Sequence, residues 1–228
     1  MIVVFEKGFA LRHIGHLDLM RTIQRALRRS GLPIRYSNGF NPHIQLSFAA
    51  PLSVGVVGLR EVMDVPMEES CKPEQFAETL NRSLPSCLRI REARAVDEAY
   101  PTLMALVVGS RIRMQIDPCE AADRIAAYFP TFMQARECVT LRKTKAGENQ
   151  TNIRPFVQEA TLETTPEGYT LRCLIRNRPE GSLKPSVLIQ ALCEGAHVES
   201  VPYVAYRDAI LTLNPEGRLI PLEAYQNG

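Results

Sequence analysis

Ile2-Val3-Val4-Phe5, followed by His16-Leu17-Asp18-Leu19-Met20-Arg21-Thr22-Ile23-Gln24-Arg25-Ala26-Leu27-Arg28-Arg29-Ser30 and closed by Gly31-Leu32-Pro33, carries the two periodicities on which the fold turns. The short β-branched run predicts a strand. The longer run has helical period: Leu17, Met20, Ile23 and Leu27 recur on one side, and Arg21, Arg25, Arg28 and Arg29 on another. Gly31 predicts the stop, and Pro33 prevents a restart. Working outward, strands are expected near residues 44–50 and 61–67, and a helix over 73–84 that Pro73 opens and Pro85 ends. The alternation Leu88-Arg89-Ile90-Arg91 predicts a strand over 88–96. Strand–helix–strand–strand–helix–strand is the order of a ferredoxin-like split unit.

The second half is expected to repeat the plan without repeating the sequence. A strand over 103–116 leads to a helix over 119–129, strands near 137–141, 153–163 and 169–175, a helix over 185–194 and a strand over 203–213. That is one strand more than the plan needs. The expected class is α+β, with two tandem ferredoxin-like (βαββαβ) domains and antiparallel sheets. They span residues 1–97 and 103–228, on either side of a linker marked by Tyr100-Pro101.

Charge is unevenly spread over the 228 residues. The formal net charge is only +2, yet Lys7, Arg12, Arg21, Arg25, Arg28, Arg29, Arg35 and Arg60 against Glu6 and Asp18 give the first 60 residues +6, leaving −4 beyond. Such a field draws anions and nucleic acid to the N-terminal part. No apolar run reaches the ~18 residues of a membrane span, so no membrane partner is expected. The apolar Met1–Phe5 run passes straight into Glu6 and Lys7 without a cleavage signal, which points to the cytoplasm. Six scattered cysteines form no CxxC cluster and are expected to be reduced thiols rather than zinc or iron–sulfur ligands; no metal or other cofactor is expected.

Four groups of residues are candidates for function. Arg21, Arg25 and Arg28 form a row of guanidinium forks suited to phosphate oxygens, and no acid stands four residues from any of them. Tyr36, Ser37, Asn38, Phe40, Asn41 and His43 lie in a turn-rich segment set by Asn38-Gly39 and Asn41-Pro42. Phe40 there is either an anchor tucked into the core, the commoner outcome, or a stacking platform for a base. His13, His16 and His43 would serve as acid–base groups, or as metal ligands, only if the fold brought them together. Arg142, Lys143 and Lys145 belong to a basic connection that could reach over a ligand. No glycine-rich phosphate loop and no nucleophile elbow is present.

The ordered series His16-Leu17-Asp18-Leu19-Met20-Arg21, Arg25-Ala26-Leu27-Arg28-Arg29, Gly31-Leu32-Pro33, Tyr36-Ser37-Asn38-Gly39-Phe40-Asn41-Pro42-His43 and Pro51-Leu52-Ser53-Val54-Gly55 resembles the bacterial radical-SAM-linked proteins. Leu80-Asn81 with Leu84-Pro85, and residues 143–154, extend the resemblance. That family is a domain of unknown function, fused behind a radical SAM protein or encoded beside one, near genes for an RNA-processing nuclease and ribosomal proteins. The resemblance implies a non-catalytic accessory role, presenting RNA or an RNA-bound substrate to a radical SAM partner. The chain itself lacks the radical SAM cluster motif. Gly15 stands where the family commonly has serine, and Asn152 where it commonly has aspartate. Two other readings stand beside it. Tandem ferredoxin-like domains also resemble CRISPR-type RNA endonucleases, for which His13, His16 or His43 would act as metal-independent acid–base groups. A protein–protein adaptor would instead set the arginines against acidic patches on a partner.

Overall fold

The computed structural model describes residues 1–144, 147–179 and 181–226. In chain order its elements are β1 (Ile2–Lys7), α1 (His16–Ser30), β2 (Ser47–Phe48), β3 (Val56–Asp64), α2 (Pro73–Ser83), β4 (Leu88–Arg94) and a one-turn α3 (Leu103–Leu106). Then come β5 (Gly109–Ile116), α4 (Glu120–Gln134), β6 (Val139–Thr144), β7 (Gly147–Asn152), β8 (Val157–Thr165), β9 (Gly168–Arg176), α5 (Pro185–Gly195), β10 (Tyr203–Leu213) and β11 (Leu219–Pro221). The class is mixed α+β, as expected. Two compact units emerge, residues 1–108 with 207–228, and residues 109–206. The expected division was 1–97 and 103–228; by compactness, a stretch from Arg207 groups with the N-terminal unit.

In the first unit the strand order is β4-β1-β3-β10, β10 counting from Arg207, with β2 also on β3 and β11 on β10. The β1–β3, β1–β4 and β2–β3 pairs are antiparallel. Helix α1 turns Leu19, Ile23, Ala26 and Leu27 into a core shared with Phe5, Phe76 and Leu80. Burying each large apolar side chain contributes about 1.5–3 kcal/mol. Leu17, expected on that face, is instead 62 % exposed on the first turn, and Leu19 takes its place. Gly31, at φ 68°, provides the left-handed residue that ends the helix. The other face of the sheet is covered by a second cluster that includes Ile2, Val62, Leu103 and Leu222.

Side-chain contacts to the main chain shape two margins of this sheet. Strand β2 is two residues long rather than the seven expected: Ile44 and Gln45 pair with Tyr36 and Arg35 instead, and at the other end Arg207 takes the carbonyls of Ala50 and Pro51 (3.1 and 3.2 Å). At the other margin, the Asn81 amide donates to the Ile90 carbonyl (3.0 Å) and accepts from the Ile90 N–H (2.8 Å), which fastens α2 to β4.

In the second unit the order is β10-β5-β9-β8, β10 counting through Tyr206. The expected surplus strand is half of a separate two-stranded hairpin, β6–β7. Asn152 ends that hairpin by accepting the N–H groups of Cys138 (3.0 Å) and Arg154 (3.2 Å) through Oδ1. An aspartate carboxylate accepts the same two bonds, so the amide fills the same structural role there. The segment over 103–108, expected as the start of a strand, forms the α3 turn first. Among the described residues, no helix is long and apolar enough to cross a membrane.

Candidate nucleic-acid interface

The outward side of α1 is set by its inward side: with Leu19, Ile23, Ala26 and Leu27 buried, Arg21, Arg25 and Arg28 are exposed. The four arginines are not equivalent. Arg21 meets Asp18, one turn earlier, at 3.3 Å in an exposed ion pair. Arg29 donates to the Ser83 carbonyl at 2.7 Å and so clips α1 to the end of α2. Arg25 and Arg28 have neither ion pair nor hydrogen bond among the described residues. These two guanidiniums are free for an external anion.

The 36–43 segment is closed into a miniature hairpin. Tyr36 and Ile44 form a bridge, and the Ser37 N–H donates to the His43 carbonyl at 2.8 Å. Ser37 Oγ accepts the His43 N–H (3.1 Å) and lies 2.7 Å from His43 Nδ1. Gly39, at φ 119°, makes the reversal with a backbone angle that other residues rarely adopt. Ile44 anchors the segment in the core, not Phe40. The expected core anchoring of Phe40 is overturned: its ring is 106 % exposed, and Asn38, Asn41 and Tyr36 are exposed with it.

The histidines each have their own surroundings. His13 is exposed. His16 packs edge-on to Phe48, with ring centroids 5.0 Å apart, and His43 is committed to Ser37. No group of three or more His, Cys, Asp or Glu that could hold a metal occurs among the described residues. In the second unit, Arg142 donates to the Ser182 carbonyl at 2.8 Å and lies over the Phe156 ring, as part of the hairpin's attachment. Lys143 sits opposite Glu148 in the hairpin register. Lys145 lies outside the described residues.

Sequence reasoning missed a buried charged trio. Lys7, Glu61 and Arg207 are 1 %, 2 % and 8 % exposed. Both oxygens of Glu61 accept from Arg207, Oε1 from Nε at 2.8 Å and Oε2 from Nη2. Lys7 Nζ reaches the Arg12 and Ile14 carbonyls at 3.2 and 3.4 Å. Burial holds the Lys7 ammonium below its ordinary pKa, with the Glu61 charge opposing the shift and Arg207 adding to it. The trio thus holds the 12–14 and 50–51 loops, and the Gly55 N–H to the Arg12 carbonyl (2.7 Å) joins the two. The legible signal was parity: Lys7 falls on the same strand face as Val3 and Phe5, which are core residues.

Elsewhere in the first unit, a concavity of about 650 Å³ is lined by Asp64, Glu68, Glu69, Asp97 and Glu98 against Arg35, an acidic surface unsuited to a polyanion. A bacterial family described as "Uncharacterized protein conserved in bacteria (DUF2344)" matches residues 1–185. The chain belongs to that family. The DUF2344 match takes in α1, the 36–43 hairpin, Lys7 and Glu61, and stops short of Arg207. No curated protein matches the chain.

Proposed function

We propose that this DUF2344 protein is a non-catalytic accessory module that binds RNA, or a substrate carried on RNA, and presents it to a radical SAM partner in the cytoplasm. The observation that supports it is the pair of unpartnered guanidiniums, Arg25 and Arg28, on the outward face of α1 in the basic part of the chain. One helical turn separates them, about 4.5 Å along the axis, so both can serve one phosphate or two neighbouring ones. The 36–43 hairpin adds donors and acceptors. The radical SAM half of the proposal rests on the resemblance of the 16–55 series, and the cytoplasmic half is supported by six free thiols. The element order and strand pairings of each unit accord with a ferredoxin-like reading, the β6–β7 hairpin being an insertion in the second.

The test is RNA binding by the full chain over a range of salt concentrations, beside an Arg25→Gln/Arg28→Gln variant. Wild type binds with a salt slope that falls by about 1.4 in the variant, if each guanidinium neutralises one phosphate of a single strand. Equal affinity and equal slope for the two proteins remove the arginine face from the reading. Absence of RNA binding in wild type leaves a protein–protein adaptor, with the same arginines meeting carboxylates.

A further inference from the structure

Phe40 is the one large apolar side chain among the described residues that is wholly bare to solvent. A ring on a floppy loop would carry little meaning, but this one sits on a closed hairpin. The Tyr36–Ile44 bridge, the Ser37–His43 main-chain bond and two further bonds to Ser37 Oγ fix its base. These bonds meet part of the cost of ordering the backbone that presents the ring. Nothing in the first unit's core uses the ring, since Ile44 does the anchoring.

The surroundings select the occupant. From Tyr36 to Gln45 there is no carboxylate and no ammonium or guanidinium; the neighbours are the exposed amides of Asn38 and Asn41 and the exposed Tyr36 ring. An aromatic face beside neutral donors and acceptors matches a nucleobase, with its flat face for the ring and its hydrogen-bonding edge for the amides. The exposed, unpartnered Arg25 and Arg28 of the same unit suit the phosphates that accompany such a base. Bases inside a duplex already have both faces covered and their edges paired.

We infer that the 36–43 hairpin is a stacking platform for an unpaired base, with Phe40 as its face. This rests on the RNA reading above and narrows it: the RNA is single-stranded where the hairpin touches it. Phosphate contacts from α1 supply the salt-dependent part of binding, and Phe40 supplies a part that salt does not screen.

The experiment measures fluorescence anisotropy of a labelled RNA of about ten nucleotides, within the range one such site covers, as a single strand and annealed to its complement. The full-length wild type, Phe40→Ala and Phe40→Trp are compared at several salt concentrations. Wild type is expected to prefer the single strand. Phe40→Ala weakens single-strand binding roughly tenfold, about what loss of one base–aromatic stack costs, with an unchanged salt slope; Phe40→Trp restores it. Because the ring touches no core residue, the thermal unfolding midpoints of the three proteins should coincide. Tight RNA binding that ignores Phe40→Ala, or that prefers the duplex, overturns the platform and leaves the RNA reading intact, with the ring then facing a protein partner. No binding to either form overturns both.

Discussion

Arg25 and Arg28 on α1 and Arg207 under the 50–51 loop are the same side chain in opposite situations. The first two stand in water with no partner. The third is 8 % exposed, bound to both oxygens of Glu61 and to two carbonyls. An exposed guanidinium keeps its hydration and costs the fold almost nothing, so it can be held ready for an outside anion. A buried one is stable only while every donor is matched, and it becomes part of the scaffold. Composition alone counts the two as equal; only burial separates recognition from architecture.

The sharpest way to break this contrast is Glu61→Ala. It strands Arg207 and Lys7 as buried cations and should lower unfolding free energy by about 3–5 kcal/mol in urea denaturation. Arg25→Gln with Arg28→Gln should stay within about 0.5 kcal/mol per site in the same assay. Similar losses from both would mean that the α1 face is structural.

Lys7→Met is gentler, because it removes an ammonium that burial already disfavours. The lost bonds to Arg12 and Ile14 cost about 1 kcal/mol, partly offset by relief of the buried charge. The pH dependence carries the sign. With a folded pKa below the ordinary 10.5, folded Lys7 gives up its proton at a lower pH than the unfolded chain does. Between those two values the unfolded state holds the extra proton, so wild-type stability rises with pH relative to Lys7→Met. A parallel pair of stability–pH curves would show that Lys7 is not desolvated. The smallest effect is expected from Gly15→Ser. Gly15 caps α1 without a side-chain bond and has room for a Cβ. A serine hydroxyl there should add a few tenths of a kcal/mol, read as a higher melting temperature.

Helix α1 was legible to the residue because its apolar period, Gly31 and Pro33 all act locally. Strand β10 was legible too, as a long run of alternating and apolar residues. What escaped depends on partners far along the chain. Arg207 takes the carbonyls that follow β2, and Glu61 meets that arginine across 146 positions. The arginine row was visible by spacing, but which members are free was not, since Arg29 is engaged by Ser83 on another helix. Phe40 was misjudged because an aromatic residue between turn signals has a core-seeking alternative that sequence cannot weigh, and Ile44 fills that role.

Strand β4 is the last in its order, and its outward main-chain groups are where a foreign strand would add itself. At Ile90 those groups are already taken by Asn81, whose amide imitates a neighbouring backbone. A single helical side chain thereby interrupts, at one position, the row of main-chain groups that a second copy would need in order to zip along that margin.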